Sequence, residues 1–147
     1  MLDEEKKVIV HCNFEEITAL KAGARQVLGG YAPDHGAIAA PPEERQRVAA
    51  LMPRLSGDFS VTTLAEQRSL LHGVSIIVEI LRVEMESTVA AHHPAHEVAV
   101  SAYFDFAHAF SVQTRLYEVS SEMEALVELV TGGPVTDELA RDFAFPD

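Results

Sequence analysis

The longest regular pattern in the chain runs from residue 98 to residue 130 and has the period of an α-helix. Its positions are Val98, Ala102, Asp105, Ala109, Val112, Leu116, Val119, Met123, Leu126 and Val130, all apolar except Asp105. Gaps that alternate between three and four residues place side chains along one helical face, as in coiled coils. Gly132, Gly133 and Pro134 follow and predict that this helix ends near Thr131.

A second long helix is predicted immediately before it. Thr63 and Glu66 have the spacing of a capping box, so a helix begins at Leu64 and continues to about Ala91. Its heptad-like apolar stripe comprises Leu71, Val74, Val78, Leu81 and Met85, and its opposite, polar face comprises His72, Ser75, Glu79, Arg82 and Glu86. His92, His93 and Pro94 interrupt the pattern, and Pro94 suits the first turn of the next helix. The two long helices are therefore expected to form an antiparallel hairpin.

The N-terminal part of the chain predicts shorter elements. Residues 7–12 are apolar, β-branched and too few for a helix, which indicates one short strand. Asn13 and Glu16 have capping-box spacing and open a helix that reaches about Leu28, before Gly29 and Gly30. Within this helix, Ala19 and Gly23 are small residues four positions apart, where another backbone can approach closely. Residues 31–41 are rich in turn formers and predict a loop.

Two more short helices complete the predicted fold. Pro42 suits a first helical position, and Pro53 ends that helix near Leu51. Thr136 caps a last helix that reaches about Phe143. The prediction is a single, mainly α domain over residues 1–147. Residues 1–63 supply the lone strand and two short helices, and residues 64–147 supply the long hairpin and the short C-terminal helix.

The charge of the chain limits its partners. The formal net charge is −12, and residues 64–147 hold fourteen acidic side chains against four basic ones. This balance argues against bulk attraction to nucleic acid or to an anionic membrane. The longest run without a charged residue has ten residues, whereas a membrane-spanning helix needs about twenty. The acidic N-terminus lacks a signal peptide's basic region, and the single cysteine, Cys12, allows no internal disulfide, so we expect a cytoplasmic protein.

The length of the two helices indicates an assembly. They would measure roughly 45 and 55 Å, more than the diameter of about 40 Å expected for a compact domain of this size. Either a kink at Gly73 shortens the hairpin or its apolar surface meets a second copy. Extra apolar residues on the first long helix favour the second copy: Leu70, Ile76, Ile77, Ile80 and Val83. The predicted strand has no partner strand in the same chain, and the same strand of a two-fold related copy could pair with it. This also favours a second copy, so we expect a homodimer.

Histidines and carboxylates form two weak candidate metal sites. His92, His93 and His96 lie beside Glu97, and such ligands suit zinc or iron. No second ligand pair at a recognisable spacing accompanies them, so we interpret the segment as a solvated turn at a helix end.

Asp105 and His108 form the second candidate, a carboxylate-x-x-His pair of the kind found in di-iron helical bundles. A hairpin that turns near residue 94 would bring His108 level with Glu79. A di-iron centre needs two such motifs and four carboxylates. We therefore interpret Glu79 as a surface partner of Arg82, and Asp105 as a polar residue in the helical seam. No bound metal or other cofactor is expected, and the weak metal candidates are Glu79, His92, His93, His96, Asp105 and His108.

Catalytic and nucleic-acid motifs are missing from the sequence. Cys12 follows His11, but neighbours in a strand point to opposite faces, so the pair makes no thiolate–imidazolium couple. Neither a G-x-S-x-G motif nor a phosphate-binding glycine loop occurs. A strand followed by a helix, flanked by Lys6 and Lys7, is also found in ribbon-helix-helix DNA-binding repressors. The apolar outward face of the strand and the acidic remainder of the chain argue against that function.

Two further groups on the second long helix have alternative interpretations. The aromatic residues are Tyr103, Phe104, Phe106, Phe110 and Tyr117, and we expect them to be core, with a small-ligand pocket as the alternative. The acidic residues are Glu118, Glu122, Glu124 and Glu128, which form either a solvated face or a docking surface for a basic partner.

The sequence thus predicts a non-enzymatic helical interaction or regulatory module. It would act as a homodimer with an acidic protein-binding surface. The alternatives are a metal-binding, ferritin-like helical protein, a small-ligand sensor and a DNA binder of the ribbon-helix-helix type.

Overall fold

A computed structural model describes residues 8–29, 40–92 and 96–146, and these are mainly α-helical. In chain order the elements are β1 (Val8–Val10), α1 (Phe14–Gly29), α2 (Pro42–Leu51), a 3-10 turn (Met52–Arg54), β2 (Phe59–Val61), α3 (Leu64–Ala91), α4 (Glu97–Thr131) and α5 (Asp137–Asp142). The predicted fold class, two long helices with shorter helices packed on them, is confirmed. The predicted loop at 31–41 lies almost entirely outside the described residues.

Helices α3 and α4 form the antiparallel hairpin. Arg68 Nη2 lies 2.9 Å from Glu124 Oε1, and Gln113 Nε2 donates to Ser75 Oγ at 3.1 Å. Residues later in α3 therefore contact residues earlier in α4, so the two helices are antiparallel. With 28 and 35 residues, the two helices are about 42 and 52 Å long. The capping box at Thr63 and the left-handed Gly132 (φ 74°) bound the hairpin as predicted.

The turn of the hairpin differs in part from the prediction. Helix α4 begins at Glu97, and His96 is its N-cap, with Nδ1 accepting from the Val98 amide at 3.2 Å. Its imidazole thus satisfies an amide that has no partner within the helix. His93 and Pro94, which the sequence predicts to lie at this turn, are outside the described residues.

The N-terminal strand is paired within the chain, contrary to the prediction of a lone strand. β1 runs antiparallel to β2, with Val8 opposite Val61 and Val10 opposite Phe59. β2 has only three residues, too few for an alternating pattern to be recognised in the sequence. Because this ladder is supplied within one copy, the strand no longer argues for a homodimer.

Helix α1 lies across both long helices. Its capping box is confirmed: Glu16 N donates to Asn13 Oδ1 at 2.8 Å, and Asn13 N donates to Glu16 Oε1 at 3.0 Å. The close backbone approach predicted at Gly23 occurs against Gly73 of α3, since a Cβ built on Gly23 would lie 2.5 Å from the Gly73 carbonyl carbon. The sequence offered Gly73 as a kink, but α3 is one uninterrupted helix there.

The remaining elements cover only the first part of α3. Helices α2 and α5 both pack against α3, and after α5 the Phe145 amide donates to the Thr62 carbonyl at 2.6 Å. We define the hairpin tip as residues 82–92 and 96–108. Ala99 is the single buried residue within it. The tip is therefore a pair of helices without a core of its own.

Candidate protein-binding surfaces

Apolar side chains lie on the outside of the hairpin tip. The exposed ones are Val83, Val89, Val98, Val100, Tyr103 and Phe104. Two helices share only one line of contact, so the rest of their apolar surface stays in water unless a further element covers it. A tip with this many exposed apolar side chains is a candidate interaction site.

The predicted stripe of α4 reaches the core only in its middle part, between Ala109 and Leu126. Ala109, Val112 and Leu116 are fully buried, whereas Val98 is 50% exposed and Asp105 is exposed. The interpretation of Asp105 as a residue of the seam is therefore wrong, because its side chain lines an open cleft at the tip, together with Val83 and Ala102.

The aromatic residues of α4 are not core, contrary to the prediction. Tyr103, Phe104, Phe110 and Tyr117 are each more than half exposed, and Phe106 alone packs partly against the core. The physical reason is the position of α1, whose Glu16 contacts Ser111 and Arg115 on another side of α4.

Phe110 and Tyr117 line an open groove between the long helices. We call it the aromatic groove; its volume is about 480 Å³, and its lining comprises Leu71, Ser75, Phe110, Gln113, Thr114, Tyr117 and Glu118. Leu71 is half-buried at its floor. The expected core aromatics thus form an accessible surface and not an enclosed ligand pocket.

Acidic side chains dominate the charge around this groove. Glu118 lines it, and α4 carries no lysine or arginine after Arg115. On α3, Arg82 contacts both Glu79 and Glu86. These contacts raise the pKa of Arg82 above its usual value, and Glu79 contributes most. Arg68 is paired with Glu124. The arginines on this side are therefore already neutralised by carboxylates.

A buried ion pair joins α1 to α4. Glu16 is 3% exposed, and its Oε2 accepts from Arg115 Nη1 at 2.6 Å and from Ser111 Oγ at 3.1 Å. Burial acts to raise the pKa of Glu16, but the Asn13 amide and Arg115 outweigh it and lower that pKa below its usual value. The sequence identified Glu16 only as a cap, because Arg115 lies 99 positions further along the chain.

Cys12 lies beside this ion pair but is poorly suited to be a nucleophile. Burial, with a further contribution from Glu16, raises the pKa of the Cys12 thiol to about 11. The thiol is therefore protonated at neutral pH, whereas nucleophilic attack needs the thiolate. Its neighbour His11 contacts Asp58 instead, with Nδ1 2.8 Å from Oδ2. Asp58 also accepts from the Cys12 amide at 3.0 Å, so it fixes the entry to α1.

The candidate metal ligands are not assembled into one site. In the described part of the chain, no group of three or more His, Cys, Asp or Glu side chains could hold a metal ion. His92 and His96 do come together, with ring centroids 4.6 Å apart, but Glu79 pairs with Arg82. His108 is half-buried, and His93 lies outside the described residues.

Among the described residues, no helix is long and apolar enough to cross a membrane. Comparison with protein-family models, curated proteins and solved structures finds no match to this chain.

Proposed function

We propose that this chain is a non-enzymatic helical interaction module that works in the cytoplasm as a homodimer and binds a protein with a basic surface. The observation that carries the proposal is the hairpin tip. Of all its described residues only Ala99 is buried, while valines face water on both helices and Tyr103 and Phe104 face water on α4.

A second copy is the partner that best completes such a tip. Two hairpins packed together make a four-helix bundle, in which apolar side chains from all four helices share one core. A two-fold arrangement lets the same residues serve on both copies. Val98 and Phe104, at 50% and 55% exposure, are the tip residues whose burial in the dimer we expect to contribute most.

The acidic side of α4 supports a basic protein partner. Glu118 and Glu122 are exposed there, and opposite charge on a partner would speed association and fix its orientation. The metal-binding alternative is not proposed, because no set of described ligands favours it.

Sedimentation equilibrium of the full chain tests the homodimer. We expect a mass of twice 16.0 kDa at micromolar concentration. The double variant Val98→Glu, Phe104→Glu places four carboxylates in the bundle core of the dimer. Its dimer dissociation constant should therefore rise about 100-fold, or roughly 3 kcal/mol.

Leu129 and Val130 provide the matched control. They are 67% and 66% exposed at the other end of α4, so Leu129→Glu, Val130→Glu adds the same charge away from the tip. This control should sediment as a dimer. A monomer mass for the unmodified chain at every micromolar concentration would refute the homodimer.

A further inference from the structure

The aromatic groove presents two ring anchors at a spacing that suits a docked helix. Phe110 and Tyr117, which both line it, are seven residues apart. Positions seven apart lie on nearly the same side of an α-helix, at a rise of about 10 Å. The two rings therefore match anchors about two turns apart on one face of a docked helix. Helices that dock in grooves use apolar anchors at this kind of spacing.

The rings supply part of the area that a stable contact needs. A buried aromatic side chain covers about 150–250 Å², and Phe110 and Tyr117 are 51% and 66% exposed. Together they offer roughly 200 Å² before Leu71 and the rims of the groove are added. An interface of standard size needs about 800 Å² on each side, so the rings would form the centre of such a contact.

The charge around the groove selects the partner. Glu118 lies in the groove, and Glu79 and Glu86 lie further along the face of α3 that carries Ser75, where both contact Arg82. A second copy that laid its own groove here would bring its Glu118 toward these carboxylates, which costs free energy. A helix with lysine or arginine beside its apolar stripe would instead pair with them.

We propose that the aromatic groove binds a basic amphipathic helix of a partner protein. The apolar stripe of that helix contacts Phe110, Tyr117 and Leu71, and its cationic side chains reach Glu118 and the carboxylates of α3. The inference rests on the proposed interaction function and names its partner class. It uses a surface centred on Phe110 and Tyr117, separate from Val98 and Phe104 of the hairpin tip.

A labelled peptide tests the groove. The probe is a fluorescent peptide of about 18 residues, built from leucine and lysine with leucines on one helical face, and fluorescence anisotropy measures its binding to the full chain. We expect a dissociation constant of about 10 μM or lower, weakening severalfold between about 50 and 300 mM salt. A peptide of the same composition without the stripe, and one with glutamate for lysine, should bind at least tenfold more weakly.

Variants locate the contact. Phe110→Ser with Tyr117→Ser should raise the dissociation constant of the leucine–lysine peptide at least tenfold, and Glu118→Lys should raise it severalfold. Phe14 is 81% exposed on α1, so Phe14→Ser is the matched control and should leave binding unchanged. Circular dichroism checks that each variant is folded.

Four results would overturn the inference. The first is that the chain does not bind the leucine–lysine peptide, and the second is that it binds the control peptides equally well. The third is that the Phe110→Ser, Tyr117→Ser variant binds the leucine–lysine peptide as tightly as the unmodified chain does. The fourth is that this variant loses the homodimer, which would place a second copy in the groove. The tip variant Val98→Glu, Phe104→Glu separates the two proposals, because it should lose the dimer and keep the peptide. If the chain is a dimer and binds none of the peptides, only the proposal for the groove is refuted.

Discussion

Replacing Gly23 by alanine is expected to lower the free energy of unfolding by about 3 kcal/mol or more, the upper end for overpacked cores. The added Cβ would lie 2.5 Å from the carbonyl carbon of Gly73 and 2.7 Å from both the Gly73 oxygen and the Val74 nitrogen. All three atoms belong to the backbone of α3. No rotation of a side chain can relieve the overlap, so α1 must move away from α3 and give up part of its buried contact.

Gly29 at the end of the same helix is the control. A Cβ on Gly29 meets nothing within 4 Å, and alanine is favoured over glycine in a helix by about 0.5–1 kcal/mol. Gly29→Ala should therefore leave stability unchanged or raise it. Urea unfolding followed by far-ultraviolet circular dichroism, at equal protein concentrations, measures all three proteins. If Gly23→Ala is as stable as the unmodified chain, α1 and α3 do not touch at these glycines.

The helix boundaries could be predicted because their causes are local. Thr63 and Glu66 are three positions apart and satisfy each other's amides, and a left-handed glycine ends α4 at the predicted residue. Hydrogen bonds between residues this close in the chain form whatever packs around them.

The faces of α4 could be predicted only in part. A strict heptad has 3.5 residues per turn and an α-helix has about 3.6, so the buried line drifts by about 20° per heptad. Ser120 and Val127 are accordingly buried, while Val119 and Leu126 of the predicted stripe are half-buried. The exposure of Phe110 and Tyr117 depends on where α1 crosses, and periodicity carries no information on that choice.

The features that the sequence missed depend on distant partners. β1 pairs with a three-residue strand about fifty positions away, and Glu16 pairs with Arg115 across 99 positions. An arginine on a helix has no local pattern that reveals a buried partner. The location of the candidate surfaces therefore depends on how α1 packs against the long helices. The pattern of charges in the sequence does not determine that packing.

Replacing Arg115 by methionine is expected to cost about 2–3 kcal/mol of stability at neutral pH. Removing one partner of a fully buried ion pair costs about 3–5 kcal/mol, because the other charge is left without compensation. The Glu16 side chain is 5% exposed, but that of Arg115 is 35% exposed, so water offsets part of the loss. Arg115 also donates to the His11 carbonyl at 2.8 Å, and that bond is lost as well.

Arg141→Met is the matched control, because Arg141 and its partner Glu43 lie away from the hairpin tip and are 46% and 62% exposed. Exposed ion pairs contribute at most about 1 kcal/mol, so this variant should lose much less stability. Urea unfolding of both variants at pH 7 makes the comparison. Equal losses would mean that the Glu16–Arg115 pair is no more buried than a surface pair.

The pH dependence of this loss identifies Glu16 as its cause. The pKa of Glu16 in the folded chain is below the usual 4.5, so its ionised form contributes stability above about pH 4.5, and this is lost as the pH falls through the folded pKa. In Arg115→Met the burial of Glu16 is no longer opposed by a cation. The deficit should therefore be largest at neutral pH and should shrink toward about pH 3. Adding Glu16→Gln to Arg115→Met should recover part of the neutral-pH loss, since no buried charge is then left unpaired. A deficit that is the same at pH 7 and at about pH 3 would assign the role of Arg115 to packing and to its bond with His11, and not to the carboxylate.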